Sequence, residues 1–217
     1  MKKTGLLLIV LSIAALLNGQ TIKLQGGTSI STLHWQLHGV NIDPLYDEPL
    51  IGYSVFGGLD YFDMQYFNLS SNIGMIRKGG KEEIQLYFED GQPSSGTYTD
   101  KPTLNYLSIN TAIDLRYRIK EKFSPFISVG PRVDFLVNYS RQFDGLEDLD
   151  GLKKSTIGLI FGGGLKYNIS SLQFGIQADY YLDFTKVADW TIESTGNSGE
   201  VTANTFAVNL TIGYKIK

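Results

Sequence analysis

The sequence predicts an all-β fold: an eight-stranded antiparallel up-and-down transmembrane β-barrel with short periplasmic turns and long extracellular loops. Three observations predict it. Eight runs alternate apolar with polar residues, the connections between them alternate long and short, and the polar face is rich in glycine. A membrane-spanning strand alternates lipid-facing with lumen-facing side chains, and barrels of this class collect their long loops on one side.

The first nineteen residues are typical of an export signal. Lys2 and Lys3 precede an apolar stretch from Leu6 to Leu17, and the small pair Asn18-Gly19 follows. The stretch is short for a transmembrane helix, which needs about 20 apolar residues. We therefore expect a signal peptide at 1–19 and one barrel domain at 20–217; the alternative is an uncleaved N-terminal anchor.

Composition restricts the class of protein further. The chain has a net charge of −3, no cysteine, 24 glycines and 42% apolar residues. The absence of cysteine excludes disulfides, thiolate metal sites and cysteine nucleophiles. A nucleic-acid binder should carry a basic patch, and none is visible, so we expect no nucleic-acid partner.

The connections differ in length in a regular order. The long ones are 37–50, 79–102, 141–153 and 186–203, and the short ones are 63–66, 120–122 and 168–171. The second and fourth long connections contain apolar residues and are expected to project as hairpins. Loops on a rigid scaffold usually carry binding, so a surface partner is expected there.

The later runs alternate most regularly, as in the run from Ile127 to Tyr139. Three N-terminal runs, about 21–34, 51–62 and 67–78, are less regular. Phe56 and Phe62 fall on the polar face of the second of them.

The period of two does not say which face looks inward, and a soluble lipocalin-like barrel would have its apolar face inside. Glycine on the polar face favours a narrow polar lumen, where eight strands converge. Aromatic residues near the run ends favour two membrane-interface belts. The predicted periplasmic belt contains Tyr61, Phe67, Tyr117, Phe123, Tyr167 and Tyr214, and the outer belt contains Tyr53, Tyr106, Tyr139, Phe184 and Phe206.

The segment Phe123-Ser-Pro-Phe-Ile-Ser-Val-Gly-Pro131 resembles the central hairpin of the PorT-like "porin family" of outer-membrane β-barrels common in Bacteroidetes. The segments 106–109, 162–183 and 211–217 resemble neighbouring strands of that family. The resemblance implies an eight-stranded barrel with no agreed activity, inserted by the barrel assembly machinery. Strands of the family often end in an aromatic residue; here Ile216-Lys217 follows Tyr214, which is the candidate for that role.

Charges of both signs fall on the predicted lumen face. Unpaired buried charge is costly, so these residues are expected to form a polar network of salt bridges that leaves no large pore. The alternative is a proton or ion path through a conducting channel. The network is predicted to contain Asp60, Asp114, Arg116, Arg132, Asp134, Lys166, Asp179 and Asp183.

Other polar residues carry weaker signals. His34 and His38 lie at the rim of the first long loop, and a lipid-modifying enzyme would pair such a histidine with a hydroxyl, for which Ser54 is the candidate. A metal site with Asp43, or a calcium site in the acidic stretch 144–150, lacks supporting spacing. We expect no enzyme activity, no cofactor and no metal, with outer-membrane lipid or lipopolysaccharide as surroundings.

Overall fold

The computed structural model describes residues 20–38, 45–61, 64–88, 92–120, 122–148, 151–192 and 197–216. The predicted signal peptide lies outside the described residues, as do Asp43, Phe62 and Asp150.

Antiparallel strands form one sheet that closes on itself, which confirms the predicted fold class. Eight of them form the ring in the order β1-β2-β3-β5-β6-β7-β8-β10, and β10 returns to pair with β1 from Thr21↔Lys215 to His38↔Ser198. The strands are β1 (Thr21–His38), β2 (Glu48–Tyr61), β3 (Phe67–Tyr87), β4 (Pro93–Asp100), β5 (Thr103–Arg116), β6 (Phe123–Tyr139), β7 (Ser155–Ile169), β8 (Leu172–Asp183), β9 (Ala188–Ile192) and β10 (Asn197–Lys215).

Two strands extend the wall beyond the ring. β4 pairs with the outer end of β3, and β9 pairs with the outer end of β10. Much of the second and fourth long connections is therefore β-strand, in agreement with the two hairpins expected there. In the second and third short connections, Lys120 and Ser170 adopt positive φ angles of 49° and 53°.

The third long connection contains helix, which the sequence pattern did not predict. A 3-10 turn at Arg141–Phe143 leads into a short helix, α1 (Asp144–Asp148). None of the helices in the described part of the chain is long and apolar enough to span a membrane.

Apolar side chains cover the outside of the ring, so the lipocalin-like alternative, with its apolar face inside, is wrong. Leu24, Ile127 and Leu210 are each more than 60% exposed on this face. Phe56 points into the lumen, as its position on the polar face indicated. Tyr106 was predicted for the outer belt, and this is wrong: it is fully buried in the lumen, because it shares its strand face with Ser108 and Asn110.

Glycines and bulky side chains are paired on neighbouring strands of the lumen wall. A Cβ atom added to Gly74 would lie 2.6 Å from the Phe56 ring, and one added to Gly164 would lie 2.9 Å from the Phe126 ring. Each ring occupies the space that the opposite glycine leaves open. Large side chains thereby fill a narrow barrel without pushing its strands apart.

Candidate functional site

The lumen contains an ion cluster near its periplasmic end, called the lower cluster. Lys23 Nζ on β1 lies 2.7 Å from Asp60 Oδ1 on β2. Lys166 Nζ on β7 lies 2.9 Å from both Asp60 Oδ2 and Asp114 Oδ2. Lys23 also donates to Ser70 Oγ at 2.6 Å. These side chains are almost fully buried, so two cations and two carboxylates compensate one another away from water.

A second cluster, the upper cluster, lies closer to the outer mouth. Lys78 Nζ on β3 lies 2.9 Å from Asp134 Oδ2 on β6 and 3.0 Å from Asp183 Oδ2 on β8. Arg132 pairs with the same two carboxylates through its two terminal nitrogens. Period-two alternation places Arg132 and Asp134 on one face of β6, so their pairing follows from local sequence.

Two buried tyrosines enclose the upper cluster. Lys78 Nζ lies 5.0 Å from the centre of the Tyr106 ring, and Arg132 Cζ lies 5.1 Å from the centre of the Tyr181 ring. Both rings are at most 1% exposed. Each cation therefore contacts carboxylates and an aromatic face, a combination that is strong when water is excluded.

A layer of hydrogen-bonded side chains separates the two clusters. Ser54 Oγ donates to Asn209 Oδ1 at 2.5 Å, and Gln25 Nε2 donates to Thr211 Oγ1 at 3.3 Å. Asp179 accepts two hydrogen bonds from Gln177 Nε2, at 2.8 and 2.9 Å. Within the described residues, Asp179 has no cation within 4.0 Å, unlike the other buried carboxylates of the lumen.

The predicted lumen residues take four different places. The lower cluster contains Asp60, Asp114 and Lys166; the upper cluster contains Arg132, Asp134 and Asp183; Asp179 lies between them; and Arg116 lies at the periplasmic end, where it donates to the carbonyl of Met64.

Sequence reasoning missed Lys23 and Lys78. Both lie in the less regular N-terminal runs, and Lys78 is next to the predicted start of a loop. The alternation Thr21, Lys23, Gln25 was the signal that could have found Lys23.

An apolar cluster closes the outer mouth. Phe143 and Leu146, from the 3-10 turn and α1, lie against Leu33, Val187 and Val201. Three partly buried rings, those of Trp35, Tyr46 and Trp190, pack around this cap. Their contacts are close, with the Trp35 and Phe143 ring centres 5.3 Å apart.

Tyr46 ties the first loop to the β3–β4 hairpin. Its hydroxyl donates to Asp100 Oδ2 at 2.9 Å, and its backbone N–H donates to Glu82 Oε2 at 2.9 Å. Burial, and then the hydrogen bond to Asp100, raises the pKa of the Tyr46 hydroxyl well above its ordinary value. The hairpin and the cap are therefore joined by polar contacts as well as by packing.

His34 joins a chain of hydrogen bonds on the outer rim. Its Nδ1 contacts Asp47, so Nδ1 carries the hydrogen and Nε2 accepts one from Asn204 Nδ2 at 3.0 Å. Tyr180 Oη donates to Asn204 Oδ1 at 3.0 Å. Ser54, the hydroxyl expected beside this histidine, is wrong for that role because it faces the lumen.

The charged groups of both clusters are paired inside the barrel. Lys166, Lys78 and Arg132 each contact carboxylates on two strands, Lys23 contacts Asp60 alone, and the mouth above them is apolar. Among the described residues, no group of three or more His, Asp or Glu side chains could hold a metal ion.

Comparisons with known proteins agree with the barrel. A family model described as "Outer membrane protein beta-barrel domain" matches residues 18–189. No curated relative matches the chain at a significant level.

One solved outer-membrane protein shares the architecture, and two others align with the chain at lower TM-scores. OprG from Pseudomonas aeruginosa is 11% identical, with a TM-score of 0.56 over 92% of this chain and 96% of its own. Neisserial surface protein A (9% identity, TM-score 0.47) aligns over 90% of this chain and 97% of its own. Ail of Yersinia pestis (16%, 0.43) aligns over 92% and 99%. At these identities the likeness to OprG shows the fold alone.

Proposed function

Because the chain belongs to the outer membrane β-barrel family and is located in the cell outer membrane, we propose that it is a non-conducting barrel that holds an extracellular platform at the cell surface. The platform consists of the cap and the two hairpins, β3–β4 and β9–β10. The barrel anchors it and fixes its orientation.

One observation supports this proposal: side chains close the lumen at two levels. Ion pairs from opposite walls cross it within the membrane, and the apolar cap covers it above. A conducting pore would need a continuous water-filled passage, whereas side chains fill the interior of an eight-stranded barrel.

Planar-bilayer recording tests closure. We expect purified protein to insert without stable current steps, with a known porin in the same bilayers as the control for fusion. A second variant, in which a Gly-Ser linker replaces residues 141–148, removes part of the cap. It should also be silent, because the ion clusters remain. Reproducible current steps with the wild-type protein would contradict the proposal.

The β3–β4 hairpin is the platform's most exposed apolar element. Ile84, Leu86 and Tyr98 are 43%, 46% and 56% exposed, and Tyr87 and Phe88 near the tip are 66% and 60% exposed. Such residues are suited to binding a protein or another surface component. Since nothing in a membrane anchor requires them, they favour a role in surface interaction over a purely architectural role in the envelope.

Complementation separates those two roles. In a deletion strain, a barrel in which a two-residue turn replaces residues 82–99 should insert and show heat-modifiable migration, yet fail to restore the strain's surface or envelope phenotype. Full restoration by this trimmed barrel would assign the function to the barrel body instead.

We also propose that the protein is not an enzyme. His34 Nε2 already accepts a hydrogen bond from Asn204, so the nitrogen that would act as a base is occupied. His34→Ala and His38→Ala should leave the lipid A composition as in the wild type, measured by mass spectrometry of extracted lipid. A changed acylation pattern, reproduced in the deletion strain, would favour the lipid-modifying alternative.

Processing at residue 19 and membership of the PorT-like group remain proposals supported by the sequence. N-terminal sequencing of the protein from isolated outer membranes tests the first, with Gln20 expected as the new first residue.

A further inference from the structure

A single arginine faces lipid near the outer end of the apolar band. Arg77 lies on the outward face of β3, directly above Met75 and Ile73 on the same face. It is paired with Asn105 on β5, and the ring of Tyr53 on β2 lies beside it on the other side. Since the extracellular hairpin continues from this end of β3, Arg77 lies at the level of the outer leaflet.

Neighbouring side chains hold the guanidinium in place. Its Cζ lies 4.9 Å from the centre of the Tyr53 ring. Its Nε donates to Asn105 Oδ1 at 2.9 Å, and the Tyr53 hydroxyl donates to the same oxygen at 3.2 Å. Three strands thus fix one cation, and an arginine so positioned loses less conformational freedom when an anion binds.

Arg77 also lacks a counter-charge of its own. Within the described part of the chain, no carboxylate lies within 4.0 Å of it, whereas Lys81, farther along the same face of β3, pairs with Glu48 at 2.9 Å. The terminal Nη groups are free for a planar, bidentate contact, the geometry that suits phosphate. A charge on the lipid face is tolerated near the interface, where headgroups can reach it.

The flank below Arg77 has space for an apolar chain. Gly57 on β2 and Gly26 on β1 both point outward, and a Cβ atom added to either would meet no heavy atom within 4 Å. Gly57 is paired with Ile73, which is four residues before Arg77 on β3. A shallow apolar strip therefore begins beneath the cation, with Val55 beside it.

We infer that Arg77, Tyr53 and Asn105 form a binding site for the phosphate of an outer-leaflet lipid, whose acyl chain lies along the strip at Gly57. The phosphate accepts hydrogen bonds from the guanidinium Nη groups. This site lies on the flank of the barrel, so it does not depend on what the extracellular platform binds.

Lipid retention measured by native mass spectrometry tests the site. The full-length mature protein is prepared in neutral detergent and supplied with phosphatidylglycerol or with digalactosyldiacylglycerol, which has acyl chains but no phosphate. We expect the wild type to retain phosphatidylglycerol preferentially. Arg77→Gln should weaken that retention about tenfold, the usual effect of losing charge-assisted hydrogen bonds.

Two further variants sharpen the result. Arg77→Lys keeps the charge but loses the fork geometry, so its retention should be intermediate. Arg141→Gln is the matched control, because Arg141 is an exposed extracellular arginine, and it should behave as wild type. Heat-modifiable migration of every variant shows that the barrel is folded.

Three results would overturn the inference. They are equal retention of the two lipids by the wild type, unchanged retention in Arg77→Gln, and an equal loss in Arg141→Gln. A competition arm uses inorganic phosphate. If it displaces phosphatidylglycerol at comparable concentration, the site is a free-anion site and the assignment to lipid is wrong.

Discussion

The interior of this barrel has two regions of opposite character. Where lipid surrounds the wall, the inside is polar and charged. Above the membrane, where water surrounds the wall, the inside is the apolar cap of Phe143, Leu146 and their neighbours. β1 and β10 contribute side chains to both regions, whereas Phe143 and Leu146 come from the third long connection, so the change occurs along these strands and not between domains.

β10 shows the change most clearly. Its inward residues Asn209 and Thr211 are polar, whereas Val201 and Ala203, nearer the mouth, are apolar. Its outward residues change in the other direction, from Leu210 to the polar Glu200. Side chains continue to alternate between inward and outward along the strand, while the polarity of each face reverses. The polarity of the inward side chains therefore changes at the level where the surroundings of the wall change from lipid to water. This level marks the outer edge of the membrane.

The largest expected loss of stability follows from removing a cation from the polar region. Lys78→Ala should destabilise the barrel by about 3–5 kcal/mol, because it leaves two buried carboxylates with Arg132 alone. Denaturant titration of the detergent-folded protein measures it. Lys186→Ala, which breaks an exposed pair with Glu200 above the membrane, should cause no measurable loss. Similar losses in the two variants would break the comparison.

Removing a ring from the apolar region should have a large but more local effect. Phe143→Ala is expected to cost about 3 kcal/mol of cap stability, because it leaves a cavity among fully buried neighbours. Hydrogen exchange should accelerate in 141–153 and at the start of β10, while the strands around the lower cluster stay protected. Faster exchange throughout the barrel would show that the two regions unfold as one.

A pair of isosteric changes on β10 tests whether a buried hydroxyl without a hydrogen-bond partner destabilises the barrel. Val201→Thr places a hydroxyl in the cap and should cost about 1–2 kcal/mol. Thr205→Val should be neutral or stabilise by up to about 1 kcal/mol, because Thr205 Oγ1 is buried without a hydrogen-bond partner in the described structure. Denaturant midpoints measured in parallel give the signs, and a gain from Val201→Thr or a clear loss from Thr205→Val would contradict this cost.

The smallest expected effect is a loss of stability of the first loop at alkaline pH. The pKa of Tyr46 is raised above 10.0, so the folded state holds its proton more tightly than the unfolded state. The resulting stability is present below pH 10 and is lost as pH rises above it. Tyrosinate absorbance should show one late-titrating group fewer in Tyr46→Phe, and an unchanged titration would contradict the raised pKa.

The sequence predicted most of the fold because alternation is a local property that survives in each strand. It also placed Arg132 and Asp134 on one lumen face. It could not say which carboxylate meets which cation, because those pairs depend on register across the ring. Lys78 was missed for a related reason: the sequence pattern predicts a loop from residue 79, although β3 continues to Tyr87.

Tyr106 and α1 show the other limits of sequence reasoning. Tyr106 lies at the end of a run, where aromatic residues usually mark the membrane interface. Here its ring lies inside the barrel, next to Lys78 on the neighbouring strand. The short helix α1 is too brief to carry a helical period. Its position depends on Phe143 and Leu146 reaching the apolar mouth, a tertiary contact that local pattern does not encode.

The lower cluster has a consequence for how the barrel assembles. Lys166 is 106 positions away from Asp60, and Lys23 reaches the cluster from β1, the strand that also pairs with β10 when the ring closes. An open sheet that entered the bilayer early would expose these charges to hydrocarbon, at a cost of several kcal/mol for each. The buried charges therefore disfavour insertion of an open sheet and favour a route in which the ring closes as the strands enter the membrane.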